Sequence, residues 1–445
     1  MSTILNADDL NDFISPGVAC VKPVETRIPR NVAEIEIGID GVPQMPKLEP
    51  AQISLTDCLA CSGCITSSET VLLEMQSPKE LLKALKAPEK CFVVSICPQV
   101  RASLANAFSM DYSEVDDRLA HLFITLLGFS YMVGTQTARS IAIQQSIREA
   151  ASREGPLLCS ACPGWTLYAE KTHPHVLNYL SKVKSPQQIT GQLLKQFAAE
   201  ATGQPLDAIY HVSIMPCFDK KLEAARPSNE ISSGIKEVDL VITAKEIIQL
   251  LDTEFGETFP QLSRAHTYTT PALFSDSWGS NAGSSSGGYL WYILNYLTHE
   301  NPGAHIETKA GKNADVTEYF VQKDGNVLWS GAQVYGFRNI QNLVRKLKLN
   351  QVKRKVGSPI SYNYVEVMAC PGGCTNGGGQ IGAPENINAK SWQTSVQSTY
   401  HLLNEVTIDD PALMANGRAP FNLNVFTEFK ALEKDTSTLS IGSHW

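Results

Sequence analysis

The sequence predicts an α/β protein in which parallel sheets are flanked by helices. Apolar, strand-like runs recur along the chain, and each is followed by a segment that is compatible with a helix. Alternation of this kind is typical of parallel sheets, because parallel strands need a long crossover connection that is usually helical. The 445 residues, of which 43% are hydrophobic, give enough length for two or three domains and a large core.

The first strand of this pattern is the continuous apolar run Cys91–Cys97, which is typical of a strand buried on both faces. Pro98 ends the run, and we expect a helix from about Arg101. Four further strands are predicted at 129–133, 157–159, 209–215 and 238–243, and helices are predicted at 78–87, 186–202, 245–251 and 289–297.

Composition excludes several classes of protein. The formal charge of −8 argues against a protein whose main role is to grip a nucleic-acid backbone. The acidic start lacks the early Lys or Arg of a secretory signal, and the longest apolar stretch, 122–133, is too short to span a membrane. We therefore expect a soluble intracellular protein, in which clustered cysteines among the eleven serve as metal ligands and not as disulfides.

Three closely spaced cysteines predict an iron–sulfur site near the N-terminus. Cys58, Cys61 and Cys64 have the C-x2-C-x2-C spacing that lets a tight loop reach three iron corners of a cubane. Zinc also uses C-x2-C pairs, so a zinc knot is the alternative. The spacing favours a [4Fe–4S] cluster by about four to one.

The fourth ligand of this first cluster has two candidates. Cys97-Pro98 has the Cys-Pro ending of bacterial ferredoxins, but it closes a strand that belongs to the next domain. Cys20 stands alone in the N-terminal module, where its alternative role is that of an idle buried thiol. Spacing alone leaves this choice open.

Four more cysteines lie in three separated segments, and each segment follows an apolar, strand-like run. They are Cys162 in Ser-Ala-Cys-Pro-Gly-Trp, Cys217 in Met-Pro-Cys-Phe-Asp-Lys-Lys, and Cys370 and Cys374 in Met-Ala-Cys-Pro-Gly-Gly-Cys. Ligand sites of open α/β sheets lie at the carboxyl ends of strands, so these thiols are expected to converge on one buried cluster.

Two other features are expected beside this second site. The Gly/Ser-rich loop Gly279–Gly288 lacks the Lys-Thr ending of a nucleotide-binding loop, so a flexible loop or a lining of the cluster pocket is favoured. Lys220 and Lys221 follow Cys217 and can place positive charge near a negatively charged cluster. The alternative for these lysines is a solvated helix face, which we expect for one of the two.

From about residue 90 to about residue 405 the chain resembles the iron-only ([FeFe]) hydrogenases. The three cysteine segments are near-identical to that family's three motifs, and Lys184–Gln188 and Ser213–Cys217 extend the match. The resemblance implies a two-lobed fold with parallel sheets flanked by helices. It also implies that a cubane lies between the lobes and is held by the four cysteines of the three segments, Cys162, Cys217, Cys370 and Cys374.

One substitution departs from the hydrogenase pattern. Hydrogenases have two adjacent cysteines in the first motif, and the first of them relays protons to a di-iron site. This chain has Ala161 there, which has no titratable group, and Cys159 would point the other way on an extended strand. We therefore expect no enzyme activity, and a hydrogenase or electron-transfer protein with an altered proton path is the alternative.

Ala161, the lone Cys20 before the C-x2-C-x2-C knot, and a C-terminal aromatic residue together resemble the NARFL family of eukaryotic hydrogenase-like proteins. This resemblance implies a cytoplasmic and also nuclear factor of cytosolic iron–sulfur protein assembly with two [4Fe–4S] clusters. The first cluster would be held by Cys20 and the three knot cysteines. The implied partners are a P-loop NTPase scaffold and a WD40-containing targeting complex, with no nucleic acid and no membrane.

The C-terminal residue Trp445 fits the last position of the tripeptide with which this family docks on the targeting complex. Ser443 and His444 do not fit the usual aliphatic–acidic pair, so a frayed end is the alternative. The expected domains are an N-terminal iron–sulfur module, a first lobe, a second lobe with the second cluster between the lobes, and a C-terminal segment, at 1–88, 89–215, 216–405 and 406–445.

Overall fold

The computed structural model describes residues 72–73, 75–153, 155–264, 268–352, 362–406 and 421–432. The strands are β1 Cys91–Ile96, β2 Tyr131–Gly134, β3 Leu157–Leu158, β4 Ile209–Met215, β5 Glu230–Ser232, β6 Ile235–Lys236, β7 Leu240–Thr243, β8 His305–Ala310, β9 Val316–Lys323, β10 Asn326–Tyr335 and β11 Tyr364–Met368. The α-helices are α1 Pro78–Ala84, α2 Pro98–Phe108, α3 Tyr112–Ala120, α4 Gln136–Ser152, α5 Pro163–Thr172, α6 Pro186–Thr202, α7 Asp219–Ala224, α8 Ala244–Leu250, α9 Tyr289–Glu300, α10 Phe337–Val352 and α11 Ala389–Tyr400.

Two sheets form the body of the protein, which confirms the predicted α/β class. The first sheet has the order β2-β1-β4-β7, and all of its pairings are parallel. The second has the order β3-β11-β10-β9-β8, in which β3, β11 and β10 are parallel while β9 and β8 run antiparallel. A two-residue turn at Asp324 and Gly325 joins β9 to β10, and both residues have positive φ as a type I′ turn requires.

The two sheets interleave along the chain. β3 precedes residue 215 but pairs with β11 of the second sheet, whereas β7 follows residue 216 but pairs with β4 of the first sheet. The predicted lobe boundary between 215 and 216 therefore does not separate the two sheets. The cause is that strand pairing depends on buried partners and crossover connections, which strand order along the chain does not reveal.

Side chains of each buried strand alternate between two cores. In β1, Phe92 and Val94 face a core with α2, α3 and α8, whereas Val93 faces a core with α4, α6 and α9. In β11, Tyr364 reaches that same second core, while Val365 faces a third core with α5 and α10. Successive side chains of a strand point to opposite faces of its sheet, so one face of each sheet contributes to a single apolar layer between the two sheets.

Helix ends follow the local sequence. Proline occupies the first turn of α2, α5 and α6, where its missing N–H costs nothing. Thr243 caps α8 in a capping box with Glu246, so that both side chains satisfy orphan backbone N–H groups. None of the helices in the described ranges is long and apolar enough to cross a membrane.

A buried polar network stiffens the first sheet. Glu237 accepts hydrogen bonds from Lys184 and from Gln192 Nε2 at 2.8 Å, and Gln192 also donates to the carbonyl of Asn424 at 2.7 Å. His211 Nδ1 lies 3.1 Å from the carbonyl oxygen of Glu237 and therefore donates to it. Through Glu237, the network connects Lys184 of the 184–188 motif to His211 of the first sheet. Through Gln192, it also connects the motif to residues 421–432.

Burial favours the neutral form of the His211 ring. With the proton of the neutral ring on Nδ1, Nε2 accepts a hydrogen bond from Ser95 Oγ at 2.9 Å. Burial lowers the pKa of His211 to about 3, and the nearby Lys195 acts in the same direction. Since the folded pKa lies below the unfolded value of about 6.5, the stabilisation is present above pH 6.5 and is lost as the pH falls.

We predict that His211→Gln flattens the dependence of stability on pH. Between pH 6.5 and 5, wild type should lose about 2 kcal/mol of unfolding free energy that the variant does not lose, because only wild type takes up this proton on unfolding. Urea denaturation at several pH values measures it. His305→Gln, at an exposed position of β8, is the control and should keep the wild-type slope. Parallel curves for wild type and His211→Gln would contradict the prediction.

Candidate metal centre

The structure brings the four predicted cysteines to the carboxyl ends of three parallel strands. Cys162 follows β3 and is the N-cap of α5, and Cys217 follows β4 and precedes α7. Cys370 and Cys374 follow β11. One ligand position thus comes from the first sheet and three from the second, at the edge where α/β proteins form ligand sites.

The four side chains differ from the other described cysteines in their surroundings. They are partly exposed, whereas Cys91, Cys97 and Cys159 are buried. They also lie close enough for their charges to interact, since the Cys370 thiol is affected by Cys162 and Cys374, and the Cys217 thiol by Cys370 and Cys162. The four thiols therefore lie near one another, and their role as ligands of one cluster stays a prediction.

The turn that carries Cys370 and Cys374 needs glycine. Gly373 has φ of 92°, and a Cβ there would lie 2.5 Å from Ser286 Oγ. Ser286 Oγ instead accepts a hydrogen bond from the backbone N–H of Cys374 at 3.0 Å. The loop 279–288 therefore lines the cluster site, which was one of the two roles expected for it.

A second glycine joins the segments of Cys374 and Cys217. A Cβ on Gly377 would lie 2.3 Å from the carbonyl oxygen of Pro216, and the N–H of Gly379 donates to the same oxygen at 2.9 Å. The glycine run after Cys374 thus packs directly against the backbone beside Cys217. Close backbone approach fixes the two cysteines relative to each other.

The thiols need positive charge among them in order to ionise. Burial, followed by the neighbouring Cys374, raises the pKa of Cys162 to about 12. The pKa of Cys370 is well above its ordinary value through burial and then through Cys162 and Cys374. Iron ions offset both effects, and thiolates are the soft ligands that hold iron–sulfur clusters. The donor set therefore fits such a cluster.

In the part of the chain that the structure describes, no three His, Cys, Asp or Glu side chains are grouped so as to hold one metal ion. Tetrahedral zinc would require all four sulfurs around one point. A cubane has four iron corners, and each cysteine needs to reach only one of them.

Hydrogen bonds and charge surround the ligand sulfurs. The N–H of Ala369 donates to Cys162 Sγ at 3.4 Å, a contact that stabilises thiolate charge. Lys220 Nζ donates to the carbonyl of Ala161 at 3.1 Å and pairs with Glu223 at 2.6 Å. Its charge acts on Cys217 and Cys162, so Lys220 is the lysine that lies beside the cysteines.

Lys221 points elsewhere. It pairs with Glu246 at 2.6 Å and donates to the carbonyl of Gln76. Both Lys220 and Lys221 are buried, so the solvated helix face expected for one of them is wrong. The reason is that the short helix α7 is packed against α5 and β7. Lys220 pairs with Glu223 of the same helix, and Lys221 pairs with Glu246 of α8.

Ala161 places no titratable side chain in the site. Cys159, which lies two residues earlier, is buried, and burial and the adjacent Glu366 raise its pKa to about 12. Tyr364 also contacts the Cys159 thiol. Cys159 is thus a neutral core residue, as its position on an extended segment predicts.

Two charged residues near the site were not found from the sequence. Glu366 is fully buried in β11, where its carboxylate accepts hydrogen bonds from Ser284 Oγ and Tyr335 Oη, both at 2.6 Å. Arg139 on α4 is also buried and lies near Cys374. The sequence carried one signal for Glu366, since a single acidic residue inside an apolar, strand-like run indicates a buried polar contact.

Several predicted site residues lie outside the described residues. Cys97, the rival candidate for the first cluster, lies in the described core, with Arg139 and Cys374 among its near neighbours. The choice of fourth ligand stays a prediction. The undescribed site residues are Cys20, Cys58, Cys61, Cys64 and Trp445.

Comparison with known proteins identifies the family. Residues 90–378 match the family model "Iron only hydrogenase large subunit, C-terminal domain". A protein of Yarrowia lipolytica named cytosolic Fe-S cluster assembly factor NAR1 is 46% identical over 90% of this chain and 91% of its own. The chain belongs to this family of cytosolic Fe–S cluster assembly factors. The family protein of Meyerozyma guilliermondii is 41% identical over the full length of both chains.

Solved structures support the family's hydrogenase-like fold. The [FeFe]-hydrogenase HydA1 from Chlamydomonas reinhardtii superposes with a TM-score of 0.60 at 22% identity, covering 73% of this chain and 88% of its own. A structure titled for the oxygen inactivation of an [FeFe]-hydrogenase gives 0.63 at 21% identity, covering 80% and 99%. At this identity the similarity establishes the shared fold, and the names of the relatives establish the family.

We predict that Gly377→Ala weakens the site through the backbone of Pro216. The new methyl group must displace that carbonyl, which should cost about 1–3 kcal/mol of unfolding free energy and lower the iron retained after desalting. Gly203→Ala, where a Cβ meets no atom within 4 Å, is the control. It should lower stability only through its positive φ and retain wild-type iron. Equal iron in both variants would show that this contact does not fix the cysteines.

Proposed function

We propose that this protein carries two [4Fe–4S] clusters and links the early scaffold of cytosolic iron–sulfur assembly to its late targeting complex. The names of its relatives support the assembly role. The observation that carries the proposal is that four thiols at the ends of three strands lie near one another.

In this proposal the second cluster is held by Cys162, Cys217, Cys370 and Cys374. Support comes from their mutual electrostatic contact and from the backbone N–H that donates to Cys162 Sγ. A cubane bound there ties the two sheets together, because Cys217 belongs to the first sheet and the other three belong to the second. Its binding free energy is then part of the folding free energy.

The first cluster is assigned to Cys20, Cys58, Cys61 and Cys64. The C-x2-C-x2-C spacing of the last three supports a cubane, and the family resemblance supports Cys20 over Cys97. Cys97 is buried between β1 and α2, in the core of the first sheet. A zinc knot is the competing assignment, and metal analysis separates the two.

We propose that the second site performs no hydrogen chemistry. A metal hydride needs a titratable group to deliver protons, and Ala161 offers only a backbone carbonyl, which accepts a hydrogen bond from Lys220. Lys220 in turn is held by Glu223, so its ammonium is fixed as a charge beside the cysteines. The residues present support binding a cluster and stabilising its charge.

The proposed partners are a P-loop NTPase scaffold and a WD40-containing targeting complex, reached in the cytoplasm and also in the nucleus. The names of the relatives support a role in cytosolic iron–sulfur assembly. Trp445 is the proposed docking residue for the targeting complex. A C-terminal aromatic side chain can act as a rigid anchor in a pocket of a partner.

We predict that anaerobic reconstitution gives about eight irons and eight sulfides per chain, since each cubane holds four of each. Cys20→Ala and Cys374→Ala should each lose about half of the iron. Only Cys374→Ala should also lower the melting temperature markedly, because its cluster joins the two sheets. Cys91→Ala, which removes a buried thiol in β1, is the control and should keep wild-type iron.

Three results would contradict the proposal. Hydrogen evolution with reduced viologen, together with infrared bands from bound CO, would establish the alternative hydrogenase. Zinc in place of half of the iron would overturn the first cluster. Full iron in Cys374→Ala would overturn the ligand assignment of the second.

We predict that deleting Trp445 weakens binding to the targeting complex by at least about tenfold, because loss of an aromatic anchor costs at least about 1.4 kcal/mol. Calorimetry with the purified complex measures it. Trp291→Ala, which removes a half-exposed aromatic ring of α9, is the control and should bind like wild type. Unchanged affinity after the deletion would leave the cluster assignments intact and would exclude docking through this tail.

A further inference from the structure

Arg139 is a buried cation without a counter-ion among the described residues. It lies in the first turn of α4, and the residue is 6% exposed. Its Nε atom is buried and has no hydrogen-bond partner, and no carboxylate in the described ranges forms an ion pair with it. The other buried basic residues near the site, Lys220 and Lys221, are each paired with a glutamate.

An arrangement of this kind requires a nearby anion. A guanidinium group does not lose its proton in proteins, so it cannot escape burial by becoming neutral. An unpaired charge in a low-dielectric interior is strongly unfavourable. Arg139 must therefore be balanced by negative charge that comes from its surroundings.

The neighbouring groups other than Cys374 do not supply that charge. Tyr289, Tyr400 and Cys97 lie near Arg139, but burial keeps them neutral, and the pKa of Tyr400 and that of Cys97 are each about 12. Glu366 forms no ion pair with Arg139, and its carboxyl group accepts hydrogen bonds from Ser284 Oγ, Tyr335 Oη and the N–H of Leu290.

The local packing holds the guanidinium on the side of Cys374. A Cβ on Gly287 would lie 2.7 Å from Arg139 Nη1 and 2.5 Å from the ring of Tyr289, so the loop presses closely on both side chains. The preceding residue, Ser286, accepts the hydrogen bond from the N–H of Cys374. One short loop therefore contacts both the arginine and the cysteine.

We propose that Arg139 is the buried counter-charge of the second cluster and acts through its ligand Cys374. The inference rests on the proposed second cluster. Arg139 and Lys220 both act on Cys374, and Lys220 also acts on Cys162 and Cys217. Arg139 is a positioning residue whose fixed charge favours the reduced, more negative form of the cluster.

The test compares Arg139→Gln, Arg139→Lys and the control Arg148→Gln, which changes an arginine about two and a half turns further along α4. Each variant is prepared as the full chain and reconstituted anaerobically. Iron content and the reduction midpoint of the second cluster are measured by spectroscopically monitored redox titration. A Cys58→Ala background removes the signal of the first cluster.

Arg139→Gln should keep its iron but shift the midpoint to more negative potential, with the reduction equilibrium lowered at least about tenfold, which is about 59 mV for one electron. Arg139→Lys should recover most of the shift, because it keeps the charge. Arg148→Gln should titrate like wild type. If Arg139→Gln instead loses the second cluster while Arg139→Lys retains it, charge is again the cause and the proposal stands.

A wild-type midpoint in Arg139→Gln at full iron content would overturn the proposal and leave the second cluster in place. Equal loss of iron from Arg139→Gln and Arg139→Lys would also overturn it, because shape and not charge would then matter. If the Cys58→Ala protein with Arg139 intact binds no iron, the proposed second cluster itself is wrong. The iron measurement thus separates the two failures.

Discussion

Four thiols must be held against one another from two separate sheets, and the arrangement of the chain around the site follows from this requirement. Cys217 follows a strand of the first sheet, whereas Cys162, Cys370 and Cys374 follow strands of the second. The sheets share an apolar layer made by alternate residues of their strands, which fixes their relation. The backbone contact between Pro216 and Gly377 then sets the distance between the segment of Cys217 and the segment of Cys374.

Charge is the second requirement, and it is met by buried basic residues. Removal of these thiols from water opposes their ionisation and raises the pKa of Cys162 to about 12. Lys220 lies on one side of the group, with Glu223 holding it in place. Arg139 lies near Cys374 and has no such carboxylate among the described residues. The site is therefore suited to a bound metal group that, together with its thiolates, carries net negative charge.

The sequence was sufficient for the parts that depend on local pattern. Continuous apolar runs located β1 and β4, and Pro186 marked the start of α6, because these signals arise within a few residues. The helix α2 begins at Pro98 and not at about Arg101 as expected, because proline is well suited to the first turn of a helix. The four cysteines were found because each follows such a run. The pairing of β3 with β11 and of β7 with β4 was missed, since partners are chosen by tertiary packing. The burial of Lys221 and the position of Arg139 were missed for the same reason.

Because the proposed ligands follow strands of both sheets, they also affect whether the second cluster can be released. Under the proposed function, release would require Cys217 to separate from the three cysteines of the second sheet, which means disturbing the contact of Pro216 with Gly377 and Gly379. Release of the cluster would also leave the charge of Arg139 buried without an anion, which is unfavourable in free energy. Both effects oppose transfer. The second cluster is then a resident part of the fold, and any cluster passed to other proteins comes from a site that does not join the two sheets.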